Sequence, residues 1–109
     1  MNMNNPNKAI EYILKHSKEY AQEKSNRCHL EEFRKVKKAL LMGQSGESSV
    51  NAQERYAYAH PEYSELLLGL KSAIEIEETL KWNLTAAQLR IDVWRSESAN
   101  NRFVDKAAQ

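Results

Sequence analysis

The chain has 109 residues, 41% of them apolar and 28% charged, and its 16 Lys/Arg are nearly cancelled by 15 Asp/Glu. That bounds it to one domain or one elongated unit, and its single cysteine, Cys28, rules out an internal disulfide. No window holds the ~18 apolar residues that cross a bilayer, and the opening MNMNNPNK lacks the apolar stretch of a secretion signal, so a cytosolic protein is expected.

Three glycines and two prolines leave long uninterrupted stretches, a composition that favours helix. The first helix is expected over residues 6–42. Asn5 stands at the N-cap and Pro6 at the first helical position. Apolar residues then recur mainly at steps of three and four: Ile10, Ile13, Leu14, Tyr20, Ala21, Cys28, Phe33, Val36 and Leu40. The pattern thins across Lys24–Arg27, which leaves a break near Ser25-Asn26 open, and Gly43 offers a C-cap. The polar, Gly/Ser-rich stretch at 43–50 reads as a flexible linker. Asn51 with Glu54 three residues on has the form of a capping box for a short helix over 52–59. That helix must stop before Pro61, because the residue preceding a proline is pushed out of the helical region.

The third helix is expected over 61–98, with Pro61 in its first turn and Glu62 and Glu65 near its positive end. Tyr63, Leu66, Leu70, Ala73, Glu77, Leu80, Leu84, Ala87, Ile91, Trp94 and Ser98 follow alternating steps of three and four, a heptad seam interrupted by Glu77. A second apolar line adds Leu67, Ile74, Trp82, Ala86, Leu89 and Val93. One antiparallel neighbour buries one stripe, and two stripes need two neighbours. Self-association is therefore expected, with Leu66, Leu70, Leu80, Leu84, Ile91 and Trp94 at the oligomer interface. The polar tail 99–109 is expected to fray. The expected fold is all-α: two long helices and a short middle helix in a helical hairpin, assembled as a coiled-coil-like homo-oligomer.

Motifs for chemistry are sparse. His16, His29 and His60 are far apart in sequence, and Cys28-His29 is adjacent rather than spaced as zinc ligands are. No nucleophile elbow, phosphate-binding loop or glycine-rich cradle occurs. The carboxylate pairs Glu31-Glu32 and Glu77-Glu78 are sequence neighbours, which point ~100° apart on a helix and do not converge. A non-enzyme with no metal and no cofactor is expected.

Charge is segregated along the chain. Residues 1–42 carry nine Lys/Arg against five Glu, 43–80 carry two against seven, and 81–109 carry five against three. Arg27, Arg34 and Lys38 share one helical face, Lys24 precedes them by a turn, and Lys35 and Lys37 flank them, with Glu31 interrupting. Arg34, Lys35, Lys37 and Lys38 are thus the candidate nucleic-acid-binding residues, able to neutralise several phosphates. The same face reads equally as a solvated surface whose lysines pair with the acidic middle segment. Tyr56 and Tyr58, or Tyr12 and Tyr20, could stack on bases or pack into an interface.

One resemblance enters at the end of the basic helix. VKKALLM at 36–42, the loop GQSGESS, the tyrosine- and acid-bearing segment after it, and LTAAQLRIDVWR at 84–95 stand in an order similar to the bacteriophage recombination mediators of the UvsY type. The similarity spans roughly residues 30–95. It implies a small helical protein of tailed-phage type that forms a ring-like oligomer in the host cytoplasm. Such a protein binds single-stranded DNA and helps load a recombinase onto strands coated by single-strand-binding protein. Lys37 and Lys38 occupy the family's DNA-contacting positions; where the family has an arginine just after its lysine, this chain has Ala39.

The alternative is an oligomeric helical interaction module, an adaptor or inhibitor of a host or phage protein that binds no nucleic acid. It is suggested by the double apolar stripe and the near-zero net charge. The feature that separates the two is whether the basic strip is free or covered by the acidic stretch Glu47–Glu78.

Overall fold

A computed structural model describes residues 5–108 as three helices, α1 (Pro6–Gln44), α2 (Val50–Ala59) and α3 (Pro61–Ala108), with no strand among the described residues. The opening MNMN, part of the stretch read as lacking a secretion signal, and Gln109 of the expected frayed tail lie outside the described residues.

No glycine or proline falls between Pro6 and Gly43, and α1 is unbroken through Ser25. Asn5 starts it: its Oδ1 accepts the Asn7 N–H at 2.9 Å, satisfying a donor that the first turn leaves without a partner. The helix passes Gly43 and ends at Gln44. Ser45 then donates twice to the Met42 carbonyl, from its N–H at 3.2 Å and its Oγ at 2.7 Å. Gly46 takes φ +72°, a left-handed turn that glycine adopts without steric cost.

The segment expected as a loose linker is hydrogen-bonded at both ends. The Glu47 N–H donates to Ser45 Oγ at 3.2 Å, and Gln53 Nε2 donates to the Glu47 carbonyl at 2.9 Å. The cap of α2 is Ser49, not Asn51: its Oγ accepts the Ala52 N–H at 3.2 Å, so α2 opens at Val50 rather than 52. Serine is the ordinary opener of such a cap. His60 is extended (φ −71°, ψ 135°), as a residue before proline should be. Its Nδ1 accepts the Glu62 N–H at 3.1 Å and so caps α3.

α3 does not fray at Ser98 but continues to Ala108. After Gly69 it contains no glycine or proline, and its last turns carry the good helix formers Arg102, Lys106, Ala107 and Ala108.

The described residues form two compact units. One joins α1 through Tyr20 to α3 from Thr79 onward; the other runs from Ala21 to Glu78. In the second, Leu41, Ala57 and Tyr63 make a small core with Met42 against it. There α1 and α3 run antiparallel, since Arg27 meets Glu77 while Lys37 meets Glu62. In the first, Ala9 and Ala87 are buried and line one depression with Tyr12, Ala86 and Arg90.

The heptad seam of α3 is the line the chain buries. Tyr63, Leu70, Ala73, Glu77, Leu80 and Ala87 are buried, Leu66, Leu84, Ile91 and Ser98 are half-buried, and Trp94 is exposed. This corrects the placement of Leu70 and Leu80 at an oligomer interface, since both are buried within the monomer. A regular seam signals a helical neighbour; it does not say whose helix that is.

α1 departs further from expectation. Most of its apolar line faces out, with Ile10, Leu14, Phe33, Val36 and Leu40 exposed and only Ile13 and Tyr20 half-buried. The half-covered line runs instead through Tyr12, His16, Tyr20, Glu23, Arg27, Leu30, Arg34 and Lys37 to buried Leu41. Long basic side chains can do this, because their methylene stems cover apolar surface while their heads reach a partner.

Candidate functional site

The half-covered face of α1 therefore holds Arg27, Arg34 and Lys37 of the basic strip, with Lys38 beside them, while Lys24 and Lys35 stay exposed. Arg27 grips Glu77 with two bonds, Nε to Oε2 at 2.6 Å and Nη2 to Oε1 at 3.0 Å, and its Nη1 reaches Glu31 Oε2 at 3.1 Å. Glu77 is 6% exposed. A carboxylate taken out of water requires such a fork, and the planar guanidinium supplies it. The hydrogen bonding of Arg27 to Glu77 leads in raising the Arg27 pKa above the ordinary arginine value, against desolvation.

Lys37 Nζ lies 2.7 Å from Glu62 Oε2 on the first turn of α3. That hydrogen bond, with the lysine charge behind it, holds the Glu62 carboxyl below its usual value. Lys38 Nζ sits 4.7 Å from the centre of the Tyr58 ring and 3.5 Å from Glu54 Oε1 on α2. Its pKa is raised first by hydrogen bonding to Tyr58 and then by the Glu54 charge.

Of the four candidate nucleic-acid residues, Lys37 and Lys38 are thus brought together with carboxylates across helices. Lys35 is exposed and lies 3.4 Å from Glu32 on its own helix. Arg34 is half-buried and makes no ion pair among the described residues.

Beside Lys38, α2 carries the exposed Tyr56 and Tyr58 with Arg55 just before them, and Tyr58 meets Tyr63 edge-on at 5.4 Å between ring centres. Tyr12 and Tyr20 are half-buried on the inner line of α1, where Tyr12 packs on His16 with ring centres 4.2 Å apart. Cys28 is exposed. No group of three or more His, Cys, Asp or Glu among the described residues could hold a metal ion. No helix among them is long and apolar enough to cross a membrane.

The sequence offered the acidic stretch Glu47–Glu78 as a candidate partner of the strip, but it did not single out Glu77, Glu62 and Glu54. Glu77 carried a usable signal: a carboxylate that interrupts an apolar seam implies a cation at its own level on the facing helix. The outer surface of α3 was half legible. Trp82, Ala86, Leu89 and Val93 are exposed, but Phe103 on the same side was missed because the helix was expected to end at 98, and the exposed Leu68 was missed because it lies on neither of the two apolar lines read from the sequence.

Comparison with protein-family models, with curated proteins and with solved structures gives no match for this chain.

Proposed function

We propose that the chain is a non-enzymatic helical interaction module that self-associates and docks on a protein, as an adaptor or inhibitor would. The observation that carries this reading is the inward pairing of its cations. Arg27, Lys37 and Lys38 are taken by Glu77, Glu62 and Glu54, while Leu14, Leu68, Trp82, Leu89 and Phe103 stand in solvent. A polyanion would have to displace those carboxylates to reach the lysines, whereas exposed apolar lines of this kind mark protein contacts.

A second reading is kept for one observation: Arg55, Tyr56 and Tyr58 are exposed on α2 next to Lys38. Aromatic faces beside cations are the stacking platform of single-strand binders. On this reading the chain binds single-stranded DNA and assists recombinase loading, with Arg34, Lys35, Lys37 and Lys38 on phosphates.

Fluorescence anisotropy of a labelled single-stranded oligonucleotide separates the two. The interaction module gives no binding even at low salt. Binding that weakens steeply with salt, and disappears on Lys37→Glu with Lys38→Glu, would replace it with the second reading.

A further inference from the structure

From Trp82, alternating steps of four and three run through Ala86, Leu89, Val93 and Ser96 to Asn100 and Phe103. Each of these as far as Asn100 stands two residues beyond a position of the heptad seam, as Trp82 does beyond Leu80 and Leu89 beyond Ala87. At ~100° per residue that is the opposite side of α3. The line is in solvent: Trp82 is 63% exposed, Leu89 57%, Val93 54% and Phe103 74%. A helix with two heptad lines on opposite sides has one more face than its own chain fills.

We propose that a second copy of this chain covers that face, its α3 antiparallel to the first and centred on residue 91. This deepens the self-associating reading above and rests on it.

Side-chain size and charge single out this pairing. About that centre, Val93 meets Leu89 of the second copy, Ala86 meets Ser96, and Trp82 meets Asn100. The outer layers set Trp82 against the smaller Asn100, and the inner ones set side chains of similar, modest size together, so that no layer leaves two large residues opposed.

Arg90 and Glu97 are seven residues apart on one flank of the line, and neither makes an ion pair among the described residues. In the antiparallel pair each Arg90 faces Glu97 of the other copy, twice over by symmetry. A parallel pair would instead set Asp92 beside Glu97 of the other copy, acid on acid. The antiparallel pair has one like-charge meeting, Asp92 with its copy at the centre. Arg95 lies 3.3 Å from Asp92 in each chain and offsets it.

Sedimentation velocity tests this on the full chain. The native chain should be a dimer, and Leu89→Glu with Val93→Glu should halve the apparent mass while the circular dichroism of the helices is retained, since both side chains are exposed in the monomer. Arg90→Glu alone and Glu97→Arg alone should each weaken the dimer, and mixing the two variants in equal amounts should restore it, because both cross-pairs then become opposite in sign.

A native chain that sediments as a monomer overturns this proposal and the self-associating reading together. A dimer untouched by Leu89→Glu with Val93→Glu overturns this face alone and leaves self-association standing. A dimer lost in those variants but not restored by the mixture overturns the antiparallel register.

Discussion

Gly69 stands in the interior of α3, exposed, with nothing within 4 Å of where a Cβ would lie. A glycine inside a helix costs ~1 kcal/mol relative to alanine, because the unfolded chain has more freedom to lose. Gly69→Ala should therefore raise the melting temperature by roughly 4–8 °C for a domain of this size, measured by thermal circular dichroism. Gly46 differs, because its positive φ makes any side chain there strained.

Single residues also mark how far the sequence could be read. Asn5, Pro6 and Pro61 announced two helix starts, because a cap and a proline act through local geometry alone. Ser49 was passed over for Asn51, which lies inside the first turn of the helix that Ser49 caps. Choosing between adjacent caps depends on where the loop delivers the chain, and the loop is set by Ser45 and Gly46.

At the scale of elements, the heptad line of α3 was legible and its meaning was not. Its periodicity fixed which side is buried, yet the partner proved to be within the chain for Leu70 and Leu80. α1 was misjudged because hydropathy ranks Arg27, Arg34 and Lys37 as outward residues. The carboxylates that face Arg27 and Lys37 lie roughly 25–50 residues away in sequence, and local pattern does not say which carboxylate meets which cation.

The Arg27–Glu77 pair decides whether this is a stabilising or a specifying contact. Removing one partner leaves a charge covered and unmatched, while replacing both with apolar side chains of similar size is often neutral or stabilising. Arg27→Met should thus lower the melting temperature. Arg27→Met with Glu77→Leu should recover it to the native value or above, by the same thermal measurement. A double variant that melts as low as the single one would show that the pair contributes net stability.

For the whole molecule, the ion pairs predict how stability follows pH. Glu62 holds its proton less tightly in the folded chain than in the unfolded one. Its contribution is therefore full above the unfolded carboxylate value and is lost as pH falls through the folded one. Lys38 holds its proton more tightly when folded. Its contribution is full below the unfolded lysine value and is lost as pH rises through the raised one. Calorimetry across pH should give a plateau that falls on both sides. Glu62→Gln should flatten part of the acid side alone, and Lys38→Met part of the alkaline side alone.

His60 is the sole residue between α2 and α3. The joint works as an elbow rather than a tether, with no slack to take up a displacement. Whatever grips Arg55, Tyr56 or Tyr58 on the outside of α2 pulls, three residues beyond the elbow, on Tyr63, which shares the small core with Leu41 and Ala57. An event at that surface should therefore be felt inward, and the ring resonances of Tyr63 in an NMR spectrum are where it would first be read.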